Sequence, residues 1–197
     1  MQSMQKALEK AGFITVNNNY PSTKFPIETL APKYLDIALA QAQAHNPSKI
    51  HFVTHSMGGI LLRYYLNDHE INNLGRIVML SPPNQGSEIV DKLSDWKLFQ
   101  LINGPAGCQL STSTDSLPNQ LGPTRHEVGI ITGDRSYNPI YSKLLSGPSD
   151  GKVTIESAKL GGMTDFIVVP KSPTFIMNSD QVKQLVIQYL KTGKFTN

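Results

Sequence analysis

Cysteine is nearly absent from this chain of 197 residues. Its single thiol, Cys108, excludes an internal disulfide and any cysteine-rich metal site, so the fold has to stand on its apolar core. No run of about 20 apolar residues occurs, which excludes a helical membrane span, and the opening MQSMQKALEKAG is too polar for a signal peptide. As it stands, the sequence reads as a soluble, cytoplasmic chain. Charge of one sign is also scarce. Lys+Arg 18 against Asp+Glu 15 leaves +3, and the basic residues are scattered, which argues against a nucleic-acid partner. No glycine pattern has the G-x-G-x-x-G spacing of a dinucleotide loop, and no histidine pair has ligand spacing on a helix face. No cofactor and no metal are therefore expected, and no feature speaks to oligomeric state.

What is present is an alternation of helical and extended patterns. Met4, Ala7, Leu8 and Ala11 recur at helical spacing over 3–11, Gly12 closes that helix, and the apolar run 13–16 (FITV) predicts a short strand. Pro26 opens a second helix whose Ile27, Leu30, Ala31, Tyr34, Leu35 and Ala38 form one apolar face, ending near Pro47. Strands follow at 50–54, 76–80, 127–132 and 166–169, with helices at 57–67 and 180–191. Continuously apolar strands alternating with helices predict an α/β domain: three layers, α/β/α, with a mostly parallel central sheet. The length fits one domain spanning 1–197. Between 81 and 124 periodicity fades, and the segment around 93–124 reads as a lid-like loop region over the site.

The informative corner is IHFVTHSMGGILL, residues 50–62. An apolar strand runs into Ser56, then Gly58 and Gly59, then an apolar-periodic helix. A serine hydroxyl is a weak nucleophile, so an enzyme that uses it must expose it and supply backbone donors for the oxyanion. A sharp strand-to-helix turn of the G-x-S-x-G type does both, and here Thr54 replaces the first glycine. On this reading Ser56 is the nucleophile and the Met57 N–H stabilises the oxyanion. The competing reading is that Ser56 only caps the helix. His55 beside it is better placed to pack than to act as its base.

Three segments carry a family resemblance: THSMGG, then SPPNQGSE after the next strand, and DGKVTIESAKL late in the chain. Together they resemble the α/β-hydrolase superfamily, in particular its bacterial lipase-like and esterase-like members. The resemblance implies a serine hydrolase of carboxylic esters, with an acyl ester or lipid as substrate, and assigns the triad acid to Asp150. Read from the residues alone, Asp150 precedes a glycine in a tight turn and is equally well a turn residue, and Asp134 at the end of the preceding strand is the runner-up acid.

Two parts that the resemblance implies are not found. Pro173 stands where the triad histidine is expected, and the first core strand with its His-Gly oxyanion loop does not precede the opening helix, so the fold is expected to be shortened at its amino terminus. None of the five histidines replaces the base. His45 and His126 precede strands, at the sheet end opposite the elbow; His51 lies within a strand; and His69 lies roughly 20 Å along the helix axis at ~1.5 Å per residue. Two functions remain open: an ester hydrolase of impaired activity, or a catalytically inactive relative that binds a lipid or a protein partner.

Overall fold

The computed structural model describes residues 1–136, 145–172 and 175–196. Its centre is a four-stranded sheet in which β1 (Ile50–His55), β2 (Leu74–Leu80), β3 (Val128–Gly133) and β4 (Asp165–Val169) lie side by side in that order. All three pairings are parallel. Parallel neighbours need crossovers, and helix α3 (Met57–Asp68) makes the one between β1 and β2.

The pleat divides the core in two. Ile77 and Met79 of β2 and Val128 and Ile130 of β3 face one cluster, which takes in α2 (Ile27–Gln43) and α3. Val78, Leu80 and Ile131 face the other, filled by α1 (Gln2–Lys10) and the carboxy-terminal helix at Asp180–Thr192. Both faces of the sheet are thereby covered, as the continuously apolar strands require.

Helix ends follow their sequence signals. Gly12, at φ 92, ends α1 with Gly12 N–H donating to Glu9 O and Phe13 N–H donating to Leu8 O, the paired bonds of a Schellman cap. Phe13 and Leu8 then meet in the same apolar cluster. This cap explains one departure from expectation: 13–16 is extended but joins no ladder, because its first residue is committed to α1 and Ile14 stays 71% exposed.

The region expected to be a loop is the second departure. It contains α4 (Glu88–Leu93), α5 (Lys97–Cys108) and α6 (Leu117–Gln120). Helical periodicity was masked because α5 is two helical pieces joined at Gly104, φ 65, followed by Pro105. A Cβ at Gly104 would stand 2.1 Å from Thr23 O, so the kink is where this segment presses onto the loop before α2. The first piece leaves Trp96, Leu98, Leu101 and Ile102 exposed. Among the described residues two short elements follow, α7 (Ile155–Ala158) and a 3-10 turn (Ile176–Asn178), and the carboxy-terminal helix is α8.

Gly129, the second residue of β3, is required by packing rather than by backbone freedom. A Cβ there would lie 2.5 Å from Tyr189 and 2.7 Å from Phe195, whose rings lie tilted against each other on that face with centroids 4.8 Å apart. Both rings are fully buried and have nowhere to move. Gly129→Ala should therefore destabilise by about 1–3 kcal/mol, the usual penalty of overpacking, seen as a lower urea midpoint with an unchanged slope.

Candidate active site

Ser56 sits at the carboxyl end of β1 with φ 51 and ψ −127, a conformation glycine accepts readily and other residues adopt at a cost of order 1–3 kcal/mol. Its backbone is held on both sides: Ser56 N–H donates to Leu80 O at 2.8 Å, and Ser56 O accepts from Gly59 N–H at 3.0 Å. The side chain makes no capping hydrogen bond to α3, so the N-cap reading does not describe this corner. Gly59 lets the helix come down on the sheet, since a Cβ there would already touch Met79 Sδ and Pro82 Cβ at 3.3 Å. Gly58 has more room, 3.7 Å to Thr54 Cβ. Met57 opens α3, and its N–H is one of the first-turn donors that a helix leaves without an internal acceptor.

Asp150 lies on the same edge of the sheet. A Cβ added to Gly133, the last residue of β3, would stand 3.3 Å from Asp150 Cβ and 2.0 Å from Lys171 O, which puts the aspartate between the ends of β3 and β4. It is 1% exposed. Its two oxygens are used differently. Oδ1 accepts from the N–H groups of Lys152 and Val153, both at 2.9 Å, so the turn-forming role read from Asp-Gly is real. Oδ2 is buried with no hydrogen-bond partner among the described residues. Burial pushes the carboxyl pKa above its ordinary value, and the two backbone N–H bonds and the nearby Ser81 hydroxyl offset part of that rise. Ser81 faces the carboxylate without forming a hydrogen bond of ordinary geometry. The hydroxyls of Thr132 and Ser172 are likewise buried and unpartnered at this edge. Asp134, the alternative acid, is half-exposed beside Arg135 at 3.5 Å.

The second motif acts as a bracket for the third. Asn84 Nδ2 donates to Ala158 O, Gln85 N–H to Ser157 O and Ser87 Oγ to Lys152 O, so SPPNQGS grips the segment that carries Asp150. Asn84 is in turn held by Arg63 of α3, whose guanidinium donates to Asn84 O, Asn84 Oδ1, Pro118 O and Gly122 O. Burial pulls the Arg63 pKa down to about 10, which leaves it charged at neutral pH among four carbonyl acceptors. The sequence signal for this hub was an arginine within the apolar run ILLRYYL.

The histidines fall where sequence order put them. His51 accepts from Arg76 N–H at 2.8 Å through Nδ1, and His69 stacks on Tyr65 at 4.2 Å, both toward the amino ends of the strands. His45 and His126 also precede strands, and His55 alternates with Thr54 onto the face opposite α3. Pro173 lies outside the described residues. A cavity of about 920 Å³ opens between Gln85, Glu88, Thr112, Asn119, Ser146 and Glu156, but neither Ser56, Met57 nor Asp150 lines it. Its polar groups already serve each other, as Glu88 does with Ser146 and Asn119 with Thr112 O.

No family model matches the chain, and no curated protein matches it by sequence. Solved structures do. The mature lipase of Bacillus licheniformis is 16% identical with a TM-score of 0.70, over 97% of this chain and 83% of that one. The phospholipase of Legionella pneumophila is 20% identical with a TM-score of 0.60, over 80% of this chain and 41% of that one. An esterase of Pyrococcus furiosus is 16% identical with a TM-score of 0.57, over 97% and 74%. The chain therefore spans only part of the phospholipase's length. These likenesses establish the α/β-hydrolase fold.

The raised pKa of Asp150 makes a testable statement about stability. The unfolded carboxyl titrates near 3.8 and the folded one higher, so the folded state prefers the proton. Stability is greatest below the unfolded value and falls as pH rises between the two. Asp150→Asn keeps the Oδ1 acceptor and removes the buried charge. Its urea midpoint should match or fall below the parent's in acid and exceed it at pH 7; a variant less stable than the parent at pH 7 contradicts the assignment.

Proposed function

We propose that the chain is a carboxylic-ester hydrolase of lipase or esterase type in which Ser56 attacks the acyl carbonyl. The observation that carries this reading is the strained backbone of Ser56 at a strand-to-helix corner, with a side chain not spent on capping. Attack by Oγ forms the tetrahedral intermediate, and the Met57 N–H stabilises its oxyanion at the positive end of α3. Collapse expels the alkoxide, which leaves as the alcohol by taking up the proton given up by the Ser56 hydroxyl, and the resulting acyl-serine is hydrolysed by water. Asp150 orients an imidazole in such a triad, and its unpartnered Oδ2 supports that role. Pro173 stands at the imidazole position of the resemblance, so turnover is slow: a serine hydrolase deprived of its base retains only about 10³ to 10⁴-fold over water.

A second reading is a non-catalytic relative that binds a lipid or protein partner. It is favoured by the apolar face of α5, where Leu101 is 79% exposed, and by Trp96 at its N-cap, 64% exposed. Restoring the imidazole separates the two. Pro173→His should raise hydrolysis of a short activated ester by about 10²-fold or more, the usual contribution of a positioned acid-base group, and the gain should disappear in a Ser56→Ala background. A folded Pro173→His variant without a Ser56-dependent gain would favour the binding reading.

A further inference from the structure

Beside the elbow lies an aromatic hydroxyl with no role so far. Tyr20 belongs to the turn NNNYPS before α2, and its Oη stands 3.9 Å from where a Cβ on Gly58 would be. A Cα–Cβ bond of ordinary length then places Oη within about 5.5 Å of Gly58 Cα, at the first turn of α3. The ring is partly buried against the α2 and α3 cluster and packs on Tyr34 at 6.0 Å. Among the described residues its hydroxyl makes no hydrogen bond, and the atom is not sealed from solvent.

The turn that carries Tyr20 is clamped. Ser22 N–H donates to Tyr20 O and Lys24 N–H to Pro21 O. From above, Gly104 of α5 closes on Thr23 O, and from behind, Gln109 Oε1 accepts from Ile27 N–H at 2.8 Å. A phenol on a braced turn is thereby held with its hydroxyl beside the first turn of the nucleophile's helix. An oxyanion in acyl transfer is ordinarily met by two donors, and the first-turn backbone of α3 offers Met57 N–H as one.

We infer that the Tyr20 hydroxyl is the second oxyanion donor, hydrogen-bonding the negatively charged oxygen of the tetrahedral intermediate opposite the Met57 N–H. This rests on Ser56 as the nucleophile. The phenol keeps its proton throughout and forms no covalent bond; it only donates a hydrogen bond that strengthens as charge grows on the acyl oxygen. Burial raises its pKa, which holds it in the donating, protonated form at neutral pH and excludes it as the base for Ser56. The substrate class that follows is one with an sp² acyl carbonyl, or a phosphonyl group that imitates its intermediate.

Tyr20→Phe is the test, because it keeps the ring and its packing and removes only the donor. The parent, Tyr20→Phe and Ser56→Ala are each incubated with a fluorophosphonate, and intact mass follows adduct formation with time and reagent concentration. The limiting rate of labelling should fall about 10² to 10³-fold in Tyr20→Phe, with the half-saturating concentration and the thermal midpoint unchanged, and Ser56→Ala should not label. A parent that labels on Ser56 while Tyr20→Phe labels equally fast overturns the second donor and leaves the nucleophile standing. A parent that does not label at all overturns both. A loss in Tyr20→Phe that appears only as a higher half-saturating concentration, or together with a lowered midpoint, would assign Tyr20 to packing and overturn the proposal.

Discussion

The geometry of the candidate site hangs on one backbone corner. Ser56 is held in a left-handed conformation because β1 must end and α3 must begin within a single residue, and the surrounding bonds leave no softer path. Ser56 N–H is tied to Leu80 O on the neighbouring strand, and Gly59 seats the helix against Met79 and Pro82. Relaxing the corner would break a ladder hydrogen bond and lift α3 from its core contacts, so packing holds the strain in place. The same descent of α3 brings Arg63 to Asn84. Asn84 in turn holds Ala158 of α7, in the segment that follows Asp150.

Seen this way, the three sequence motifs are one mechanical unit. THSMGG makes the corner, SPPNQGSE is a bracket, and DGKVTIESAKL is the piece it clamps. Asp150 spends one oxygen on its own turn and leaves the other buried, near the Ser81 hydroxyl and without a partner among the described residues, an arrangement that penalises the carboxylate. Buried groups left in this condition are uncommon in proteins and concentrate where chemistry is done.

Much of this was legible in the chain itself. The strands at 50, 76, 127 and 166 and the helices at 57 and 180 emerge within a residue or two of the predicted bounds, because a period of two or 3.6 over a buried face leaves a strong trace. What failed to show was local competition. Phe13 looked like the start of a strand but is consumed by the Schellman cap of α1, and Gly104-Pro105 broke the pattern of α5 although helix resumes beyond it. In the site, Ser56 was expected from its corner and the glycines that follow it, and Asp150 from the family resemblance, since its own glycine reads equally well as a turn. The bracket could not, since Asn84 and Gln85 act on backbone carbonyls some 70 residues away, and carbonyls carry no sequence signature. Tyr20 was hidden for the same reason: its importance comes from where the turn is braced, and NNNYPS reads only as a turn.

The central claim is that the corner at Ser56 is strained for the sake of its hydroxyl. Replacing Ser56→Gly measures this directly, because glycine adopts φ 51 without strain while losing the side chain. The account predicts a chain more stable than the parent, by about 1 kcal/mol after the greater freedom of glycine in the unfolded state is subtracted, and inert toward acyl and phosphonyl reagents. A Ser56→Gly variant less stable than the parent, as the loss of an ordinary N-cap would give, contradicts it.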